Sequence, residues 1–107
     1  MSTKIRKALK ISDFSRYPGG RYRQDGKNSG EEYRELILEP LIESGADLEV
    51  DTNGVFVIAP SFLDEAFGPF VVSLGEKEFR QRFSFLIVDD PDLEEEIDIV
   101  IASRKKK

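Results

Sequence analysis

Short apolar runs in this chain are separated by segments that carry helix start and stop signals, and this alternation narrows the fold more than any other feature. Strands joined through helices cannot pair as hairpins; they form a parallel sheet with right-handed crossovers. Taken in order, residues 8–14 offer a first strand, and the loop "YPGGRYRQDGKNSG" (17–30) follows, rich in glycine and turn residues. Ser29 with Glu32 three residues on then makes a capping-box pattern, and Tyr33, Leu36, Ile37 and Leu41 share one helical face. Pro40 predicts a kink or an end near Glu39, and Gly45 terminates the segment.

In "ADLEVDTNGVFVIAP" (46–60), Leu48 and Val50 alternate with acids, and Val55 to Ala59 is a continuous apolar run of the kind a buried strand shows. Asn53-Gly54 between them is a turn signal that admits a hairpin. A second helix is predicted from Ser61, with Phe62, Leu63, Ala66, Phe67 and Phe70 at core spacing. Gly68 and Pro69 weaken its middle, Gly75 stops it, and "EKEFRQR" (76–82) adds a further helical turn. "FSFLIVDD" (83–90) reads as a buried strand. The last segment alternates Ile97, Ile99 and Ile101 like a strand, but Asp90 can cap, Pro91 suits a first helical position, and acids precede bases along it. The caps decide for a helix. The predicted fold class is α/β, one small βαβαβα sandwich over residues 1–107 with a mostly parallel sheet.

Composition removes several kinds of chemistry. Cysteine and histidine are both absent, so thiolate catalysis, a Ser-His-Asp triad and any imidazole metal site are excluded within the sequence. Acid–base work would fall to carboxylates, lysine or tyrosine, which ionise away from neutral pH unless strongly shifted. The chain is therefore expected not to be an enzyme and to carry no cofactor and no metal. Net charge is -5, from 16 basic and 21 acidic residues; the basic end 104–107 supplies four of the bases, so the rest stands at 12 against 21, or -9. An acidic body is a poor nucleic-acid binder, and the basic end reads as a frayed, solvated tail. No apolar run reaches membrane-spanning length and no secretory signal pattern opens the sequence, so a cytoplasmic location is the expectation.

Three stretches, "GGRYRQDGKNSGEEYRE" (19–35), "PSFLDEAFG" (60–68) and "DDP" (89–91), together resemble the STAS-like family of uncharacterised bacterial proteins. That family is named for its likeness to the STAS domains of sulfate transporters and anti-sigma-factor antagonists. The resemblance implies a STAS-like sandwich and a protein partner of the ATP-binding kinase or anti-sigma type. In STAS antagonists a serine or threonine at a helix start is phosphorylated by the partner kinase. Here Ser61 lies near that position, although Ala59-Pro60 replaces the expected acidic-hydroxyl pair and "FLDEAFG" replaces the glycine-rich helix start.

Two groups of residues are candidates for the site. The first is Ser61, Asp64 and Glu65. Ser61 reads foremost as an N-cap whose removal costs about 1 kcal/mol, next as a phosphorylated switch or partner contact, and last as a nucleophile without a histidine base. Asp64 reads as the acid of the capping pattern, and Glu65 as a solvated or partner-facing charge. The second group is the loop 16–29, where Arg21, Arg23, Asp25 and Ser29 stand among glycines before a helix start, an arrangement suited to an anion or phospho-ligand. Its structural reading is an ordered loop with Tyr17 and Tyr22 packed and Arg21 or Arg23 paired to an acid. The expected role is a regulatory protein–protein interaction domain, phospho-switched or not; the alternative is an anion-binding module built on that loop. A purely structural homodimer is a third reading.

Overall fold

In the computed structural model, which describes residues 5–105, three strands make an all-parallel sheet in the order β1-β2-β3, with β1 at Arg6–Lys10, β2 at Asp47–Asp51 and β3 at Phe83–Leu86. A single helical turn, α1 (Ile11–Phe14), follows β1. Helix α2 opens as Gly30–Tyr33, widens into a π-turn over Arg34–Leu38 and closes as Glu39–Glu43. Helices α3 (Pro60–Leu74) and α4 (Glu76–Arg82) lie between β2 and β3, and α5 (Asp92–Lys105) follows β3.

Sequential order in a parallel sheet, with the right-handed crossovers such connections take, puts the connecting helices on one face. Side-chain alternation shows which face that is. Leu48 and Val50 are wholly buried while Glu49 between them is exposed, and Phe83 is buried at the register partner of Leu48. The opposite face is polar. It pairs Arg6 with Asp47 and Lys10 with Asp51 across the ladder, and the Arg6 guanidinium reaches over β2 to the Ser84 hydroxyl at 2.9 Å. Parallel sheets are usually covered on both faces; this one leaves one face to water by making it charged.

Helix α3 is the centre of the covering layer, with α2 on one side and α5 on the other. Phe62, Leu63, Ala66, Phe67, Phe70 and Val71 bury its inner surface, so its phenylalanines are core, as expected. Phe67 sits edge-on to Phe83 and Phe85 at 5.9 and 5.1 Å. Pro69 is accommodated inside the helix, and Gly75, at φ 86°, ends it before α4 begins.

Three expectations change and one takes a specific form. The strand predicted within 8–14 lies at Arg6–Lys10 and turns helical at Ile11. At Pro40 the expected irregularity near Glu39 is present as a π-turn that ends at Leu38, with a last helical stretch over Glu39–Glu43; the widened backbone relieves the clash between the ring and the carbonyl four residues back. Val55–Ala59 is not a strand but part of the loop 52–59, with Phe56 80% exposed and only Ile58 fully buried. Asn53-Gly54 makes no hairpin. The Asn53 side chain accepts hydrogen bonds from the Val88 and Asp89 amides (2.9 and 2.7 Å), tying the end of β2 to the segment after β3.

The terminal helix is correct as expected, and the Asp90 carboxylate accepts from the Asp92 amide at its start (3.3 Å). This helix also takes in Arg104 and Lys105, which the sequence placed in a frayed tail; both are ion-paired. The remainder of that tail, 106–107, lies outside the described residues.

Candidate functional site

Proline 60 decides the local geometry at Ser61. A proline at the first helical position costs no hydrogen bond, because that N–H has no helical partner, and its fixed φ starts the turn. The boundary residue is therefore Ala59 (φ -71°, ψ 146°), whose carbonyl accepts from Phe62 and Leu63. Ser61 stands one residue inside the helix and makes no side-chain cap. The cap expected of Ser61 is corrected accordingly, and Asp64 is not the acid of a capping box. Ser61→Ala is expected to change the unfolding free energy by less than about 0.5 kcal/mol, the surface-substitution range, rather than the larger loss of a cap. Urea unfolding of the two proteins measures this directly.

Ser61 instead lines a groove of about 290 Å³ between the start of α3 and the outer side of α5, together with Pro60, Asp64, Arg21, Glu96 and Ile99. Asp64 forms one wall and is doubly clamped. Arg21 donates to its Oδ2 at 2.5 Å; Arg104 donates through Nε to Oδ1 and through Nη2 to Oδ2, both at 3.0 Å. Arg104 comes this close because Gly68, one turn along α3, has no Cβ; a methyl there would lie 2.5 Å from the Arg104 Nε. Burial pushes the Asp64 carboxyl up, but the hydrogen bonds from Arg104 and Arg21 outweigh it and hold it below the ordinary aspartate value. A carboxylate held so firmly ionised is a poor proton acceptor.

Glu65 is no solvated charge either. Arg34 of α2 donates to its carboxylate at 2.7 Å and to its main-chain oxygen at 2.6 Å, and both side chains are only 12% exposed. The predicted trio is thus neighbouring but unequal. Ser61 faces the groove, Asp64 joins the 19–29 loop to α5, and Glu65 fastens α3 to α2.

The loop itself is spent on structure. The amides of Gly30 and Glu31, at the start of α2, donate to the carbonyls of Gly20 and Arg21 (2.9 and 3.0 Å), and the Glu32 amide donates to Ser29 Oγ (3.1 Å). Ser29 is fully buried in this capping role, as its sequence pattern indicated. Glu32 closes the motif on the Asn28 amide, not on that of Ser29. Asp25 accepts from the Tyr22 amide (3.1 Å), and Arg23 pairs with Glu35 (3.0 Å). The helix start that could have cradled an anion is occupied by the chain's own oxygens. Both arginines are paired, as the structural reading required, though to Asp64 and Glu35. Tyr17 departs from it: it is 69% exposed and lies tilted against Phe56 with ring centroids 5.6 Å apart. Tyr22 is also exposed.

Residues 29–93 match the family model described as a STAS-like domain of unknown function (DUF4325). The chain belongs to this STAS-like family. Searches of curated proteins and of solved structures return no match. The match spans β2, α3 and β3, so the Ser61 end of the groove lies inside the STAS-like region, while Arg21 and most of α5 lie outside it.

One groove residue of this STAS-like domain escaped the sequence reading. Glu96 sits in an acidic run that was read as helix-start charge, yet its Oε1 is buried without a hydrogen-bond partner among the described residues. Burial, with the carboxylates of Asp90, Asp92 and Glu95, pushes its carboxyl above the ordinary glutamate value. Only the period of α5 could have flagged it, by placing Glu96 with Val100 beside the α3 contact. A raised pKa means that the folded state holds this proton more tightly than the unfolded chain, so its stabilising effect is present in acid and lost as pH rises through the folded value. Glu96→Gln is expected to stabilise the protein near neutral pH, with the gain vanishing below the ordinary glutamate range. Unfolding midpoints measured across that range test the sign.

No helix among the described residues is long and apolar enough to cross a membrane.

Proposed function

We propose that this STAS-like domain is a non-enzymatic regulatory module whose interaction with a protein partner is switched by phosphorylation of Ser61. The observation that carries the reading is that the Ser61 hydroxyl is not used as a cap and lines a groove with a guanidinium in its wall. A phosphate added in the first turn of a helix is favoured by the helix dipole. Asp64 and Glu96 oppose it by like charge. In this reading the modification acts as a lever: a dianion at Ser61 draws Arg21 away from Asp64, and the loop 19–29 that Arg21 anchors changes its docking. The family resemblance supplies the kind of partner, an ATP-binding kinase or anti-sigma-type regulator. The non-enzymatic reading is supported by the absence of histidine and cysteine from the sequence. It is also supported by the lack, among the described residues, of any acidic cluster able to hold a metal.

Affinity capture of the tagged chain from its own cells, beside a Ser61→Ala version, tests the proposal. The expected result is an ATP-binding protein enriched with the wild type, phosphate on the Ser61 peptide, and an altered yield of that protein with Ser61→Ala. Recovery of the same partner in the same amount with both chains, and an unmodified Ser61, would sink it. The anion-binding alternative is not favoured by the geometry, since Arg21, Arg23 and the start of α2 already have intramolecular partners. Calorimetric titration with nucleotides and phosphosugars checks it, and no heat is expected.

A further inference from the structure

Asn53-Gly54 is set among polar groups in a definite order. Oδ1 of Asn53 faces two donors, the Val88 and Asp89 amides, at 2.9 and 2.7 Å. Its Nδ2 faces two acceptors, Asp51 Oδ1 at 2.9 Å and the Leu86 carbonyl at 3.5 Å. The next nitrogen along the chain, the Gly54 amide, donates to Asp89 Oδ2 at 3.0 Å. Gly54 is exposed at φ 82°, and no side chain of its own shields that nitrogen.

An asparagine followed by glycine can close on itself, because the glycine nitrogen and the side-chain amide carbon are placed to form a five-membered ring. In a free chain the step is slow for two reasons. An amide N–H gives up its proton reluctantly, and negative charge develops on the side-chain oxygen during attack. The structure supplies a group for each difficulty. Asp89 Oδ2 is within reach of the Gly54 proton, the position a general base requires. The Val88 and Asp89 amides already point at the oxygen on which charge develops, as the backbone donors of an oxyanion hole do. Asp51 and the Leu86 carbonyl hold the departing Nδ2 on the opposite side.

We propose that Asn53-Gly54 is a self-modification site, at which the folded chain speeds the loss of ammonia from Asn53. The Gly54 nitrogen bonds to Asn53 Cγ as its proton passes to Asp89. The Cγ–Nδ2 bond then breaks, and Nδ2 takes up that proton and leaves as ammonia. Water opens the resulting succinimide, leaving aspartate or isoaspartate at position 53. One water is consumed and one ammonia released, with no oxidant or reductant. The product sets a second anion against Asp51 where a donor stood, so conversion loosens the exit of β2 in one direction only. None of these groups lines the Ser61 groove, and the test does not depend on the phosphorylation reading.

The full chain is incubated near neutral pH, folded in buffer and unfolded in guanidinium chloride, and the peptide carrying position 53 is followed by mass spectrometry. Asn53 is expected to convert at least about tenfold faster in the folded chain, the low end of what a positioned base contributes. Asn28, the only other asparagine, precedes the buried Ser29 and is expected to convert no faster folded than unfolded. Asp89→Asn keeps an oxygen that can accept from the Gly54 amide but removes the base, and should slow the folded chain about tenfold. Hydrogen exchange at the Val88 amide, unchanged in Asp89→Asn, establishes that the turn is intact. Three results would overturn the proposal: conversion of Asn53 equal or slower in the folded chain, which would make the same bonds a protective brace; equal acceleration at Asn28; or wild-type conversion in Asp89→Asn with the turn intact. If Val88 exchange rises in Asp89→Asn, Asp89→Glu replaces it, and conversion as slow as in the unfolded chain despite the retained carboxylate and turn would count against the proposal equally.

Discussion

Arg82→Ala is expected to lower the unfolding free energy by about 3 kcal/mol, the range for removing a buried charged partner. Arg82 is the single buried cation among the described residues, 9% exposed. Its Nε donates to Asp47 Oδ1 at 2.9 Å, and its Nη2 donates to the carbonyls of Ile42 and Ala46 at 3.0 and 2.8 Å. Those carbonyls belong to the end of α2 and the turn into β2, so one guanidinium joins α4 to the entry of the central strand. Without it, two carbonyl oxygens lose donors in a setting where water reaches them poorly. Arg82→Lys keeps the charge but not the planar fork, and should recover only part of the loss. Chemical denaturation of the three proteins gives the comparison. A loss under about 1 kcal/mol for Arg82→Ala would mean that water replaces the guanidinium fully.

Asp64→Asn comes next in size, at about 2–3 kcal/mol, because it leaves two arginines facing an uncharged amide in a partly buried cluster. It removes the common anchor of the 19–29 loop and the end of α5, so proteolysis at that loop should accelerate along with the loss of stability. The pH dependence is specific. The folded pKa of Asp64 lies below its ordinary value of 3.8, so the stabilisation is present above that value and lost as pH falls through the folded pKa. The gap between wild type and Asp64→Asn should stay constant near neutral pH and close in strong acid. Glu96→Gln has the opposite sign, a gain near neutral pH that also vanishes in acid, and the two together separate the clamp from the buried acid in the same groove.

Local signals with one dominant physical cause were legible in the sequence. The Ser29 cap, the core face of α3 and the choice of helix for the last segment all rest on caps and on the 3.6-residue period. Those signals also carried the parallel α/β order. Val55–Ala59 was misread because apolarity alone suggests burial, whereas a strand also needs a neighbour to pair with. Here β2 ends at Asp51, and the loop beyond it is tied instead to 88–89 and to Arg16, whose carbonyl accepts from the Phe56 amide at 2.7 Å. Ser61 was misplaced by two positions because Pro60 was read as the end of a strand, although it also starts the helix, with Ala59 as the boundary residue. The partners of Asp64 and Glu65 were out of reach. Arg21, Arg34 and Arg104 lie 43, 31 and 40 positions away in sequence, and no local pattern encodes such pairing. Glu96 was hidden for the same reason, since its burial depends on where α5 packs.

The most direct test of the proposed Ser61 switch is calorimetry of whichever ATP-binding protein the capture returns against two forms of the chain, unmodified and carrying phosphoserine at position 61. A switch requires the two affinities to differ by about tenfold or more, roughly 1.4 kcal/mol of coupling. Equal affinities for both forms, with each still folded, would contradict the account and leave Ser61 as an ordinary first-turn residue.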